Sequence, residues 1–354
     1  MRVVKPAIKF FEDIKGNCLI IHDYDTDGCC SAAIVARVLR NKKIKYKLFS
    51  SYHQFSINKK SLEKFDNLIF CDIPEIDKKS IENLKNKKIL IIDHHKPIKY
   101  KNAIYCNPRI FKKDIYIPTT FLTYKIAESL KIEIPTWIAA CGILADKGVK
   151  NCKEVFNKLR KERMLKKAIY DENYLFDKTK IGKITKFISS LTFYYWKNSS
   201  IVSKELAIED SYKSFLKNKK FIKAFDFIEN EKKRIFEEFK KKKIKINDFI
   251  FFEFKSKINL KSLIATLLAR RYDDKVLLVG QKFGKYLDVS LREGEKCEYD
   301  LRKLIEKMKK FIPKLEGGGH ERAAAFRMNY KQKDELLDFL KIANNFTGTL
   351  LLRK

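Results

Sequence analysis

The chain has 354 residues, which is long enough for two domains with buried cores. Its 45% hydrophobic and 13% aromatic residues exclude a disordered protein. Lysine and arginine number 77 against 44 aspartate and glutamate, and this formal net charge of +33 favours polyanionic partners. The lysine-rich proteome of a thermophile would give the same bias, so charge alone does not identify nucleic acid.

No stretch approaches the ~20 apolar residues of a membrane span, and the first residues do not form a signal peptide. The eight cysteines form no CxxC pair, and Cys29 and Cys30 stand at the start of a predicted helix. This pattern indicates neither a zinc site nor a disulfide framework. We therefore expect a cytoplasmic protein with reduced cysteines and no membrane partner, and the oligomeric state stays open.

The first half of the chain alternates apolar strands with helices. The predicted strands are Asn17–His22, Ile44–Phe49, Asn67–Cys71 and Lys88–Ile92. The predicted helices are Ser31–Arg40, Asn58–Phe65, Asp77–Leu84, Pro118–Leu130 and Pro135–Ala145. Strands that are apolar throughout and separated by helices predict an α/β fold with a parallel sheet covered on both faces.

The second half begins with a charged segment of helical period, Glu154 to Lys245, that has almost no glycine or proline. Its most charged part, Glu231–Lys245, is predicted to be a solvated connecting helix. An α/β pattern then resumes with strands Asp248–Phe254, Lys275–Gly280 and Tyr286–Leu291 and helix Leu260–Arg271. We predict three parts: a catalytic domain at 1–150, a helical segment at 151–245 and a smaller α/β domain at 246–354.

Acidic residues and histidines follow the predicted strands of the first domain. Asp23, Asp25 and Asp27 alternate before Gly28, directly after the first strand, and can wrap a hard cation. The spacing is also that of a calcium loop, but no glutamate closes an EF-hand, because an apolar helix follows. A surface acidic turn is the alternative interpretation of this segment alone.

Three more polar clusters stand at comparable positions. Asp72 follows the strand NLIFC, and Asp93, His94 and His95 follow the strand KILII. Asp146 ends an apolar helix, where its charge opposes the helix dipole and a cation would offset this. Because the carboxyl ends of parallel strands meet at one edge of the sheet, these clusters can converge there.

Mixed aspartate and histidine ligands suit Mn²⁺, or less comfortably Mg²⁺, better than Ca²⁺ or structural zinc. A carboxylate shared by two such ions gives the two-metal arrangement for in-line attack at phosphorus. The residues themselves therefore predict a site for divalent cations that suits phosphoryl chemistry.

These motifs resemble the signature motifs of the DHH phosphoesterase superfamily. The similarity runs in order through DYDTDG (Asp23–Gly28), FCDIPE (Phe70–Glu75), the triplet Asp93-His94-His95 and GILAD (Gly142–Asp146). LDVSLRE (Leu287–Glu293) and EGGGHERAAAF (Glu316–Phe326) resemble the DHH-associated C-terminal domain. The resemblance implies a parallel-sheet DHH domain joined by a helical segment to a smaller α/β substrate-binding domain.

The resemblance also implies roles for individual residues. One ion would be held by Asp25 and Asp72 with Asp23, and the other by Asp27, Asp72, His94 and Asp146, which makes Asp72 the bridge. His95 would face the scissile phosphate, so Asp93, His95, Arg292 and His320 form the predicted catalytic set. Arg292, His320, Gly317, Gly318 and Gly319 would contact substrate phosphate, the glycines by close backbone approach. The alternative interpretation of these glycines is a flexible turn.

Within the superfamily, Asp23 is informative. Pyrophosphatase-like and oligonucleotide-degrading members resemble the pattern HxxxDxD. In this chain Ile21 stands at the position of that histidine, and DYDTDG resembles the RecJ pattern instead. The similarity to archaeal RecJ-like proteins implies an exonuclease that hydrolyses single-stranded DNA or RNA to mononucleotides with two Mn²⁺ or Mg²⁺ ions. It also implies a role in DNA repair beside a helicase or replication factor.

Two alternatives stay open. One is a phosphodiesterase for short oligoribonucleotides or cyclic dinucleotides. The other is a Cdc45-like replication or repair assembly factor, in which metal ligands are often lost. Every expected ligand is present in this sequence, which favours an enzyme.

Overall fold

The computed structural model describes residues 2–51, 62–77, 81, 84, 86–167 and 169–343. Its internal contacts divide the chain into two units, Met1–Asp226 and Phe227–Lys354. Half of the predicted helix Asn58–Phe65 and most of the predicted helix Asp77–Leu84 lie outside the described residues.

The first unit is built on a five-stranded parallel sheet with strand order β2-β1-β3-β4-β5. The strands are β1 (Cys18–Asp23), β2 (Tyr46–Ser51), β3 (Asn67–Cys71), β4 (Lys88–Ile92) and β5 (Ala103–Cys106). Along β1, Cys18 and Ile20 enter one apolar core, and Leu19 and Ile21 enter a second core on the opposite face. Burial on both faces explains why the central strands are apolar at every position.

Helices cover this sheet. They are α1 (Lys5–Glu12), α2 (Thr26–Asn41), α3 (Thr119–Ser129) and α4 (Thr136–Ala145). Pro118 and Pro135 directly precede α3 and α4, with φ of −54° and −55°, so the proline ring fixes the backbone where each helix begins. Helix α4 is buried almost throughout, which places Asp146 at the end of an element that the core holds rigidly.

The helical segment also contributes to the first core. Its helices are α5 (Lys153–Lys161), α6 (Glu172–Lys178), α7 (Lys180–Tyr194), α8 (Ser200–Ile208), α9 (Tyr212–Leu216) and α10 (Lys219–Lys242). Apolar residues of α7 and α8, such as Ile184, Ile188 and Leu206, are fully buried there. The lysine-rich segment is therefore amphipathic, with one face in the core and the charges on the other.

The second unit contains a six-stranded mixed sheet with order β10-β11-β9-β8-β7-β6. Its strands are β6 (Ile244–Ile246), β7 (Phe249–Phe254), β8 (Val276–Phe283), β9 (Tyr286–Glu293), β10 (Glu316–Gly319) and β11 (Ala323–Asn329). Its further helices are α11 (Lys261–Ala269), α12 (Leu301–Phe311) and α13 (Lys333–Ala343). The apolar faces of α12 and α13 pack on one face of this sheet to form its core.

The predicted fold class is confirmed: a parallel-sheet domain precedes a helical segment and a second α/β domain. Several details differ from the sequence predictions, among them the following. Strand β5 was not predicted. The helix predicted to end at Lys245 ends at Lys242, because Ile244–Ile246 pairs with β7. Strands β10 and β11 were not predicted either, and because the glycines at 317–319 pair with β11, the alternative interpretation of these glycines as a flexible turn is wrong.

All eight cysteines are free, as predicted, and all are buried. Among the described residues, no helix is both long and apolar enough to span a membrane.

Candidate metal centre

The polar clusters of the first unit meet at the carboxyl edge of its sheet. Asp23 ends β1, Asp72 directly follows β3, and His94 lies two residues beyond β4. Asp27 stands in the first turn of α2, and Asp146 directly follows α4. The strand-end rule for open parallel sheets therefore predicted this convergence correctly.

The loop between β1 and α2 is shaped by Asp25 and Gly28. Asp25 caps α2, since its Oδ1 accepts a hydrogen bond from the backbone N of Gly28 at 2.9 Å. A Cβ atom at Gly28 would lie 2.4 Å from the carbonyl oxygen of Asp23. Only glycine therefore lets the chain fold back so tightly that the three aspartates of this loop stay together.

Asp72 has a strained backbone. Its φ of +62° lies in the left-handed region, which aspartate tolerates at a cost of about 1 kcal/mol or more. Its Oδ1 accepts a hydrogen bond from the Thr119 hydroxyl at 3.0 Å and lies 3.3 Å from His94 Nε2. The strained backbone thus belongs to a buried carboxylate that lies beside Thr119 of α3 and His94 after β4.

Asp27 is held by the beginning of α3. Its two carboxylate oxygens accept hydrogen bonds from the backbone N atoms of Thr119 and Thr120, each at 2.8 Å. The Thr120 hydroxyl donates to the carbonyl oxygen of Asp27 at 3.0 Å. A carboxylate at a helix N-terminus is favourably placed for the helix dipole, so α3 fixes this side chain.

Tyr116 positions Asp146, and sequence reasoning missed it. Its hydroxyl lies 2.7 Å from Oδ2 and 2.8 Å from the carbonyl oxygen of Asp146, and its ring meets that of His94 edge-on. His94 Nδ1 lies 3.6 Å from Asp146 Oδ2. Tyr116 lies in a loop without a local motif, so nothing in the sequence distinguished it from an ordinary buried tyrosine.

His95 and Asp93 form a pair beside these residues. His95 Nδ1 lies 2.8 Å from Asp93 Oδ1, and the backbone N of His95 donates to Asp93 Oδ2 at 3.0 Å. Asn107 donates from its side-chain amide to the carbonyl oxygen of His95 at 2.9 Å. Burial lowers the pKa of His95, but the hydrogen bond and charge of Asp93 outweigh it and raise that pKa to about 10.

A third histidine, His22, lies on β1 next to Asp23. His22 is fully buried, with Nδ1 2.7 Å from the carbonyl oxygen of Asp23 and Nε2 2.9 Å from the Ser203 hydroxyl of α8. Burial lowers the pKa of His22 to about 4, so the ring is neutral and donates from Nδ1 to the carbonyl. Ser203 of the helical segment thus contacts His22, which directly precedes Asp23.

The cluster is electrostatically unfavourable without a cation. Burial, together with the charge of Asp72, raises the pKa of Asp25 to about 7 and that of Asp27 to about 8. Burial also raises the pKa of Asp72 to about 6 and those of Asp23 and Asp146 well above their usual range. Neighbouring carboxylates that cannot all ionise alone are characteristic of a site that binds positive charge.

The residues present fit divalent cations. Ligand atoms lie within 4.8 Å of one another in three sets: Asp23, Asp25 and Asp72; Asp27, His94 and Asp146; and Asp72, His94 and His95. His94 Nδ1 is also buried without a hydrogen-bond partner within the described part of the chain. A buried ring nitrogen beside carboxylates is suited to a metal ligand, and the donor set is the one that Mn²⁺ accepts.

The predicted residues of the second unit lie at one end of its sheet. Arg292 on β9 pairs in register with Ala323, next to the pair formed by Gly319 and Ala324. The Arg292 guanidinium donates to Ser262 Oγ at 2.7 Å, Thr266 Oγ1 at 3.2 Å and the carbonyl oxygen of Leu291 at 2.7 Å. The hydroxyls of α11 therefore hold this side chain in a fixed position.

The three glycines and His320 are exposed. Gly319 has a φ of +154°, and a Cβ atom there would lie 2.5 Å from the carbonyl oxygen of Ala323. The backbone N of His320 donates to the same carbonyl at 2.7 Å. Gly317 and Gly319 are thus required for close pairing with β11, whereas a Cβ atom at Gly318 would meet nothing within 4 Å. The predicted contact of these glycines with phosphate stays a prediction.

Two family models match the sequence. The model of the DHH family, N-terminal domain, matches residues 17–154, and the model of the DHHA1 domain matches residues 247–345. Residues 17–154 are thus similar to the DHH N-terminal domain and residues 247–345 to the DHHA1 domain, in this order along the chain. A comparison with curated proteins found no match.

The fold is similar to several solved structures. RecJ from Thermus thermophilus in complex with Mn²⁺ matches with a TM-score of 0.68 and 14% identity, over 98% of this chain and 55% of that one. Entamoeba histolytica CDC45 matches with a TM-score of 0.59 and 9% identity, over 94% of this chain and 98% of that one. The pGpG-specific phosphodiesterase PggH from Vibrio cholerae matches with a TM-score of 0.53 and 13% identity, over 93% and 99%. The chain thus spans little more than half of the Thermus RecJ chain, and these likenesses concern the fold.

Proposed function

We propose that this chain is a metal-dependent phosphodiesterase of the RecJ type, which hydrolyses single-stranded DNA or RNA from one end to mononucleotides. The observation that carries this proposal is that Asp72 belongs to two of the three sets of clustered ligand atoms and His94 to two. Shared ligands are what a pair of adjacent cations requires. The likeness to RecJ in complex with Mn²⁺ and with Mg²⁺ supports either of these ions as the metal.

Two divalent cations, when bound, would supply an activated water and stabilise the charge that develops on the phosphoryl oxygens. Asp23, Asp25 and Asp72 would hold one of them, and Asp27, Asp72, His94 and Asp146 the other. The strained backbone of Asp72 and the backbone donors of Thr119 and Thr120 fix these carboxylates before substrate arrives.

His95 would act on the substrate itself. Its Nδ1 is bonded to Asp93, and in the metal-free chain the hydrogen bond and charge of Asp93 raise the pKa of the ring to about 10. A protonated ring whose Nδ1 is held by Asp93 can donate from Nε2 to a phosphoryl oxygen and stabilise charge there. Asp93 thus acts by orienting and charging His95.

Single-stranded nucleic acid is the proposed substrate class. The formal charge of +33 attracts polyanions. Arg292 offers a preorganised guanidinium on β9, at the end of the sheet where β10 ends in Gly319 and His320 follows. The chain has Asp23 in the RecJ-like pattern, and it has Ile21 where the oligonucleotide-degrading members have histidine. These two residues favour the RecJ branch over those members. A helicase or replication factor as partner rests on the resemblance to archaeal RecJ-like proteins.

The two alternatives make different predictions. A phosphodiesterase like PggH would cleave dinucleotides and leave long strands intact, and the fold is compatible with this activity. A Cdc45-like assembly factor would bind strands without hydrolysing them. The complete and clustered ligand set disfavours the second alternative, because a protein without hydrolytic activity does not need these buried carboxylates.

The test is digestion of single-stranded DNA and RNA of one sequence, labelled at either end, with the 5′ or 3′ end blocked. With Mn²⁺ we expect mononucleotides, and one blocked end should stop the reaction. Asp72→Ala should abolish cleavage without unfolding the chain. The control is Asp114→Ala, an exposed carboxylate of the first unit outside the cluster. Cleavage of dinucleotides alone would support the PggH-like alternative, and binding without any cleavage the Cdc45-like one.

A further inference from the structure

A cavity of about 440 Å³ lies in the second unit, apart from the residues assigned to catalysis. Its volume is within the range of small-molecule sites. The lining comes from the end of α10, β6, the ends of β7 and β8, and the beginning of α13. It consists of Glu238, Lys242, Ile244, Phe251, Glu253, Phe254, Lys255, Lys282, Tyr330 and Lys333.

This cavity is distinct from the end of the sheet that carries Arg292. On β8, Arg292 pairs with Leu277, whereas Lys282 of the cavity pairs with Leu287 at the far end of β9. Five residues along a strand correspond to roughly 17 Å. A ligand here therefore does not compete for the predicted phosphate contacts of Arg292 and His320.

Four lysines but only two carboxylates line the cavity. Lys333 is paired with Glu253, which also accepts a hydrogen bond from the Tyr330 hydroxyl at 3.2 Å, and Lys242 lies 3.5 Å from Glu238. Lys255 and Lys282 are exposed, and neither has a carboxylate partner among the described residues.

Lys282 is nevertheless held in place. Its Nζ lies 3.9 Å from the centre of the Tyr330 ring, a cation–π contact that restricts the side chain at the mouth of the cavity. The cavity therefore offers net positive charge at a defined position, which suits a phosphate group.

The other walls offer complementary chemistry. Ile244 is 37% exposed and gives an apolar surface, while Phe251 and Phe254 line the cavity from buried positions behind it. The carboxylates of Glu238 and Glu253 can accept hydrogen bonds from hydroxyl or amino groups. A phosphate, hydrogen-bond donors and a flat apolar ring occur together in a nucleotide. We propose that this cavity binds a mononucleotide, with its phosphate at Lys255 and Lys282 and its base against the apolar residues.

The test is calorimetric titration of the full chain with AMP in EDTA, which keeps the metal centre from contributing. Lys255→Gln/Lys282→Gln should raise the Kd for AMP by about tenfold or more, since two charged contacts to phosphate are lost. The matched control, Lys217→Gln/Lys223→Gln, removes two exposed lysines elsewhere and should change it by less than about twofold. Arg292→Gln should leave binding at this cavity unchanged.

Two further titrations test the assignment of the ligand. Ile244→Ser should weaken AMP binding and leave binding of inorganic phosphate unchanged. The proposal is overturned if AMP does not bind, if the Lys255/Lys282 variant binds it as the wild type does, or if phosphate alone binds as tightly as AMP. A variant effect on single-stranded oligonucleotides without one on AMP would assign the surface to nucleic acid and also overturn it. The outcome is separate from the digestion assay, because the cavity contains no residue assigned to catalysis.

Discussion

Binding of Mn²⁺ to the first unit should release protons. In the metal-free chain, the pKa is about 6 for Asp72, about 7 for Asp25 and about 8 for Asp27, because these carboxyl groups are buried close together. A cation can be held only by the ionised groups, so protons must leave when it binds. These three values define how the release from Asp25, Asp27 and Asp72 changes with pH, and Asp23 and Asp146, whose pKa values burial also raises, add to it.

At pH 6, Asp72 is about half protonated, Asp25 about nine-tenths and Asp27 almost fully, so these three groups should release between about two and three protons. At pH 8, of these three groups only Asp27 keeps a substantial share, and their release should fall to about one proton or fewer. The logarithm of the Mn²⁺ affinity should therefore rise more steeply with pH near pH 6 than near pH 8.

Isothermal titration with Mn²⁺ in two buffers of different ionisation enthalpy measures this release directly. The control is Asp114→Ala, which should release as many protons as the wild type because its carboxylate lies outside the cluster. A release below about half a proton at pH 6, or the same release at pH 6 and pH 8, would refute the reasoning from burial and mutual repulsion.

The same pKa values have a consequence for stability. A carboxyl group whose pKa is higher in the folded than in the unfolded chain stabilises the fold below its unfolded pKa, and this stability is lost as pH rises through the folded pKa. The metal-free chain should thus lose stability from these groups between about pH 4 and pH 8. Thermal melts should show a larger increase in Tm on adding Mn²⁺ at pH 8 than at pH 6, and the opposite trend would contradict this sign.

Three further predictions concern single contacts and charge. Tyr116→Phe removes the hydrogen bond to Asp146 and should weaken Mn²⁺ binding by about 10- to 100-fold in calorimetry, and an unchanged affinity would exclude a positioning role. His320→Ala should raise the KM for an oligonucleotide without changing Mn²⁺ affinity, whereas loss of bound metal would place this histidine in the metal centre. The logarithm of the affinity for single strands should fall with the logarithm of salt concentration with a slope of about −2 or steeper, and a flat response would favour a small-molecule substrate.

The central strands and the edge where the site lies could be predicted from sequence. Strands Asn67–Cys71 and Lys88–Ile92 have the predicted bounds, because burial on both faces makes them apolar at every position. Strand Ala103–Cys106 was missed because it is a four-residue edge strand with partly exposed side chains. Ile244–Ile246 and Glu316–Gly319 are strands only because of partners that local sequence does not show.

The aspartates and histidines of the site could be found because their positions after strands are local signals. The residues that hold these side chains in place could not be found from the sequence. His22 contacts Ser203, 181 residues away, and Thr119 reaches both Asp27 and Asp72 from the beginning of a different helix. Such contacts are defined by packing and follow no local motif, so only the folded chain shows them.

The measurement that tests the central claim most directly is an anomalous difference map from crystals of the chain grown with Mn²⁺. We expect two peaks about 3.5–4 Å apart with Asp72 between them, one against Asp23 and Asp25 and the other against Asp27, His94 and Asp146. Peaks elsewhere in the chain, or a single peak that Asp72 does not contact, would contradict the proposed two-metal centre.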